Sequence, residues 1–167
     1  GTSGDDVIDG GADADTIFGG DGGDTFKILG GGSVETAMDV ITDFSSAEDT
    51  LYLRTLSVTV DIANPSGIDV KGADAASVAT DITAISTNGI ITLGGVDAAA
   101  IDTLAEWIDV LETSTVVADG SVAAFEFGGS TYVFQDNTGS TGIANDIVQL
   151  IGVTGITDID ISLPGAN

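Results

Sequence analysis

The sequence predicts a mainly all-β protein: a short parallel β-roll, or β-solenoid, followed by a β-rich capping region with one helix. Three observations carry this expectation. The first 27 residues divide into three contiguous nonapeptides that hold Gly, Asp and a large apolar residue in one register. Beyond residue 53, β-branched residues gather in short runs separated by Asn-Gly and Gly-Gly. A single segment, 98–112, carries apolar residues at helical spacing.

The opening reads GTSGDDVID, GGADADTIF, GGDGGDTFK. Position one is Gly (Gly1, Gly10, Gly19), position six is Asp (Asp6, Asp15, Asp24) and position eight is large and apolar (Ile8, Ile17, Phe26). Glycine permits the positive φ of a tight turn, so backbone carbonyls converge there, and the Asp adds a charged oxygen. Together they form a half-shell for a hard cation. The triplet that follows is a strand with one inward side chain. If two nonapeptides make one turn of a flattened spiral, residues eighteen apart stack on one edge. Asp6 and Asp24 then share a row and Asp15 lies in the opposite row. Gly4 and Gly22 hold position four, where Asp13 stands in the second unit and still offers its carbonyl; Thr2 departs from Gly at position two. The competing reading is a flexible Gly/Asp linker. A linker has no reason to keep three residue types in register through three units.

Charge points the same way. Lys and Arg total 3 against 27 Asp and Glu, a formal net charge of −24 among 167 residues. Such a surface repels phosphate backbones and anionic lipid, which excludes nucleic acid as a partner. Clustered carboxylates also repel one another in the compact state, so a cation has to come from solution. With neither Cys nor His, the usual ligands of zinc, haem and copper are missing, as are a thiol nucleophile and an imidazole base. Oxygen-ligated Ca²⁺ or Mg²⁺ remains. No apolar stretch approaches the ~20 residues of a membrane-spanning helix, so no membrane insertion is expected. The chain opens at Gly1 in the middle of a pattern and reads as cut from something larger.

The nonapeptides resemble the RTX (repeats-in-toxin) family, whose consensus G-G-x-G-x-D-x-U-x is matched by residues 1–27. Asp39-Val40-Ile41-Thr42-Asp43-Phe44, followed by Glu48-Asp49-Thr50-Leu51-Tyr52-Leu53, is similar to the stretch that ends many rolls of that family. The resemblance implies Ca²⁺ as the cation and nominates Asp39 and Asp43 as closing ligands. Read as residues alone, they equally bound a strand, and both readings stand.

Composition changes near residues 53 to 56, which divides the chain into a calcium-binding roll end, 1–53, and a β-rich cap, 54–167. In the cap, Ile82–Ser86 and Ile90–Leu93 flank Asn88-Gly89, and Ala123–Phe127 and Ser130–Gln135 flank Gly128-Gly129, which predicts two hairpins. Between them Asp97 is positioned to cap a helix over 98–112, with Ile101, Leu104, Ile108 and Leu111 as its apolar face and Trp107 beside it. Gln135-Asp136-Asn137-Thr138-Gly139 with Asp146 reads as a turn or as a further oxygen-rich loop for Ca²⁺. The end, 146–154 and then 156–163, reads as closing strands. The stretch FEFGGSTYVFQD with NDIVQLIGV resembles the C-terminal region of RTX-containing surface-layer proteins and other type I secretion substrates. That resemblance implies an uncleaved C-terminal secretion signal and one-step export through an ABC-type channel.

The expected function is a calcium-dependent folding and secretion module, not itself an enzyme. Its parent is expected to be a secreted bacterial surface protein, an S-layer or adhesin subunit, with calcium bridging acidic copies into a lattice. The alternative is the non-catalytic tail of a secreted protease or lipase, which an H-E-x-x-H or G-x-S-x-G motif before Gly1 would reveal. Paired carboxylates such as Glu126 with Asp136 would suit a glycosidase, but two acids near a hairpin are common.

Overall fold

The computed structural model describes residues 1–29, 32–53, 83–87, 90–95, 98–113, 120, 122–137 and 145–156. Among them the chain is mostly β with one α-helix: β1 (Val7–Asp9), β2 (Thr16–Ile17), β3 (Thr25–Ile28), β4 (Asp39–Ile41), β5 (Thr50–Leu53), β6 (Thr83–Thr87), β7 (Ile90–Gly94), α1 (Leu104–Thr113), β8 (Val122–Phe127), β9 (Ser130–Gln135) and β10 (Asp146–Ile151).

The nonapeptide strands part into two sheets. β1 pairs with β3 in parallel, Val7 opposite Thr25 and Ile8 opposite Phe26, and β3 pairs with β5 in the same sense. β2 lies instead in a second sheet, ordered β2-β4-β10-β9-β8-β7-β6. The eighteen-residue stagger of β1 and β3 follows from the turn chemistry. Each Gly-Asp turn reverses the chain, so successive triplets fall in opposite layers with their one large side chain facing inward. The larger sheet is mixed: β2, β4 and β10 are parallel, β10, β9 and β8 antiparallel, and β7 joins β8 in parallel and β6 in antiparallel pairing.

Strict alternation gives this sheet two apolar faces. Phe26, Ile28, Leu51 and Leu53 of the three-stranded sheet pack against Ile17, Ile41, Val133, Val148 and Leu150. The opposite face sets Phe125, Phe134 and Ile147 against Ile108 and Leu111 of α1. Three layers result, sheet on sheet on helix, and the middle layer runs across residue 53, since β10 pairs with β4.

The hairpin of β8 and β9 closes with Phe127 opposite Ser130, and Gly128 and Gly129 take φ of 59° and 80°, the signs a type I′ turn demands. β6 and β7 pair likewise with Thr87 opposite Ile90; their turn residues, 88 and 89, lie outside the described residues, as do 157–163. The predicted helix over 98–112 is corrected: Ala98–Ala100 form a 3₁₀ turn and α1 starts at Leu104. Its cap is Thr103, not Asp97, which lies outside the described residues. The Thr103 hydroxyl accepts from the Glu106 N–H at 3.3 Å, and Glu106 Oε2 accepts from the Thr103 and Asp102 N–H groups at 3.0 and 3.1 Å. Such a capping box satisfies donors that a helix continued to residue 98 would leave to its own carbonyls. The Thr103 hydroxyl also donates to Glu106 Oε2 at 2.8 Å, and this bond, ahead of those from the Thr103 and Asp102 N–H groups, holds the Glu106 carboxyl below its usual pKa.

Candidate metal centre

The carboxylates of the repeats form two rows. In one, the Asp6 N–H donates to Asp24 Oδ1 at 2.9 Å, and the Asp24 N–H to Asp49 Oδ1 at 2.8 Å. In the other, the Asp15 N–H donates to Asp39 Oδ1 at 2.9 Å. Each aspartate thus accepts from the aspartate one turn earlier, which is why Asp6 and Asp24 share a row and Asp15 stands apart. Asp43 accepts from the Gly19 and Gly20 N–H groups at 2.9 and 2.8 Å, and Asp5 from Gly23 at 2.9 Å.

The second carboxylate oxygens differ between units. Asp6 Oδ2 accepts from the Thr2 N–H at 2.6 Å, and this bond is the main reason its carboxyl lies below the usual range. The equivalent N–H of the second unit, Gly11, goes to Asp9 Oδ1 at 3.0 Å. That of the third, Gly20, goes to Asp43. Asp15 Oδ2 and Asp24 Oδ2 are therefore buried without a hydrogen-bond partner. An unpartnered buried acceptor costs ~1–3 kcal/mol. Lys27 is the one Lys or Arg among the described residues, so no side-chain cation of that set stands in for a missing donor.

The glycines explain where these oxygens sit. A Cβ on Gly19 would lie 2.3 Å from Asp24 Oδ2, and one on Gly10 3.0 Å from Asp15 Oδ2. Position one must be Gly because the carboxylate of its own unit occupies that space. Gly1 stacks on Gly19, whose carbonyl oxygen a Cβ at Gly1 would meet at 1.9 Å, and Gly22 stacks on Gly4, with its Cβ site 2.6 Å from the Gly4 carbonyl carbon. Position four takes positive φ in all three units: 120° at Gly4, 72° at Asp13 and 124° at Gly22.

Asp39 is 1% exposed, and burial followed by the nearby charges of Asp15 and Asp9 raises its pKa despite the bond from Asp15. Sequence reasoning did not nominate Asp49 or Ser33. The signal for Asp49 was present, since Asp49-Thr50-Leu51 repeats the Asp24-Thr25-Phe26 of the third unit after a longer loop. Ser33 carries no such pattern. Among the described residues, no group of three or more acidic side chains converges as a metal cage.

Elsewhere, Asn137 Nδ2 donates to Asp146 Oδ2 at 3.2 Å and the Asn137 N–H to Asn145 Oδ1 at 2.6 Å, all in buried or half-buried surroundings. Residues 138–144 of that loop lie outside the described residues. Glu126 and Asp136 are not brought together. Glu126 sits opposite Thr131 near the hairpin turn and accepts from the Gly155 and Ile156 N–H groups. Asp136 lies five residues along from Thr131, about 16 Å by strand rise, beyond the roughly 5–9.5 Å of glycosidase carboxylate pairs.

No family model matches this chain, and no curated protein shows a significant match to it.

Proposed function

We propose that the chain is a calcium-dependent folding module, the closing turns of a β-roll joined to a strand-rich cap, from a bacterial protein exported by an ABC-type type I secretion apparatus to the cell surface. The reading rests on one observation: two buried carboxylate oxygens, Asp15 Oδ2 and Asp24 Oδ2, have no donor. A hard cation is the partner that a donor-less carboxylate beside a glycine turn suits best. Asp6, Asp15 and Asp24 would hold it with the carbonyls of Gly1, Gly4, Gly10, Asp13, Gly19 and Gly22, and Asp39 and Asp43 would close the rows. Calcium supplies positive charge and replaces the missing donors.

The physiological logic is mass action. Extracellular calcium modules bind at ~10⁻⁴ to 10⁻³ M. A ligand at ten times its Kd contributes about 1.4 kcal/mol per site, so a few sites match much of the stability of a small domain. In a calcium-poor cytosol the carboxylates repel and the chain stays open for passage; outside, it folds. An S-layer or adhesin parent suits the acidic surface, which calcium would bridge between copies.

Far-UV circular dichroism and melting of the chain, from chelator into millimolar Ca²⁺ with Mg²⁺ as control, test this. A calcium-specific gain of β-structure or melting temperature is expected. Curves indifferent to Ca²⁺ would leave the Gly-Asp units as turns only.

A further inference from the structure

Ser33 joins the repeat rows to the cap. It is fully buried. Its hydroxyl accepts from the Asp39 N–H at 2.6 Å and donates to the Ile147 carbonyl of β10, while its own carbonyl accepts from the Ile147 N–H at 3.0 Å. Ser33 thus clamps both backbone groups of Ile147 although it belongs to no strand. Asp39 in turn holds the Asp15 N–H through Oδ1, and Asp15 carries one of the two donor-less oxygens. On the other side, the Ile147 side chain packs in the core of α1 with Phe125 and Phe134.

We infer that Ser33 is a positioning residue that relays cation binding at Asp15 and Asp39 to the cap, so that β10 docks on β4 when the row is filled. The inference rests on the calcium reading above. The chemistry is specific to a hydroxyl. One Oγ accepts from one side of the junction and donates to the other, which Ala does not do and Thr does. A cation that fixes the Asp15 carboxylate fixes the N–H held by Asp39; Asp39 then presents its own N–H to Ser33, and the Ser33 hydrogen is directed at Ile147. The β4–β10 ladder, Val148 opposite Asp39, is set in register by that contact.

Trp107 is the single Trp of the chain and stacks on Phe125 at 4.7 Å, so its fluorescence reports the cap rather than the repeats. The experiment compares Trp107 melting in chelator and in saturating Ca²⁺, with calorimetric Ca²⁺ titration of the same samples. In the native chain Ca²⁺ raises the Trp107 midpoint. In Ser33→Ala the ion still binds, with affinity weakened by at least about fivefold, the lower end of usual coupling, and the rise in midpoint falls to less than half. Ser33→Thr restores it. Val133→Ala, a cavity in the neighbouring core, lowers the midpoint in both conditions and keeps the calcium-induced rise, which separates relay from simple destabilisation. Should Ser33→Ala not fold, Ser33→Cys, a weak donor and acceptor, gives an intermediate rise. An unchanged rise in Ser33→Ala or in Ser33→Cys, or a native chain that binds Ca²⁺ without moving Trp107, overturns the relay alone. A native chain that binds no Ca²⁺ overturns the calcium reading and the relay with it.

Discussion

Asp24→Asn separates a cation ligand from a turn residue by the sign of its effect. Asp24 is 1% exposed; its Oδ1 accepts from the Asp6 N–H at 2.9 Å, and its Oδ2 has no partner and fills the space beside Gly19. Asn keeps the acceptor toward Asp6 and removes the buried charge. A buried unpartnered group costs ~1–3 kcal/mol. The Asn amide is itself left unpaired, so the gain without calcium is placed at the lower end, about 1 kcal/mol. In Ca²⁺ at ten times Kd, a site served by Asp24 contributes about 1.4 kcal/mol to the native chain and little to the variant. The variant therefore passes from about 1 kcal/mol more stable in chelator to about 0.4 kcal/mol less stable in calcium, and further if Asp24 serves two sites. Urea denaturation in chelator and in Ca²⁺, read as the difference in midpoint between variant and native chain, measures this. A difference of the same sign and size in both conditions would refute the reasoning, because a residue that only shapes a turn does not know whether calcium is present.

Further outcomes follow from the backbone and from the helix cap. Gly20→Ala puts a Cβ 1.9 Å from the Thr2 carbonyl oxygen at a φ of 109°; it should destabilise by about 2 kcal/mol or more, with or without calcium, whereas Gly4→Ala, with open space at its Cβ, should cost about 1 kcal/mol by chemical denaturation. Asp13→Gly relieves a positive φ of 72° and should raise stability by up to about 1 kcal/mol, net of added unfolded-state entropy. Thr103→Ala removes the α1 cap and should cost about 1 kcal/mol in thermal melts near neutral pH. Because the Glu106 carboxyl is held below its usual range, its contribution is complete above the unfolded value of about 4.3 and is lost as pH falls through the lower folded value. The destabilisation by Glu106→Ala should therefore shrink as pH falls below about 4.3; a cost that stays constant with pH would show that the cap does not rely on the charge.

Much of the candidate site was legible because its chemistry is local. The nonapeptide period places a carboxylate beside a glycine of its own unit, and that relation needs nothing beyond a few bonds of chain: Asp24 against Gly19, Asp15 against Gly10. Strand triplets, the Gly128-Gly129 turn and the alternating faces of β8 and β9 belong to the same class, since period and turn chemistry are properties of neighbours. The start of α1 has a local signal as well, the capping box Thr103-x-x-Glu106, but Ile101 continues the helical spacing of apolar residues ahead of it and masks that boundary.

What only the tertiary structure decided lies in pairings between distant segments. Nothing near β10 says that it adds in parallel to β4, so that one sheet spans repeats and cap. That choice depends on which apolar faces meet, Val148 and Leu150 on Phe26 and Leu51. The same holds for the two orphaned oxygens: Asp6 keeps a donor and Asp15 and Asp24 lose theirs because Asp9 and Asp43 capture the Gly11 and Gly20 N–H groups. A hydrogen bond is won by whichever acceptor the fold brings nearest, and Ser33, an unremarked serine between glycine turns and a strand, acquires its role only once Ile147 is set against it. The sequence by itself determined the repeating turn and its charge; the physical contest among acceptors, settled by packing, decided which carboxylate oxygens were left without a donor.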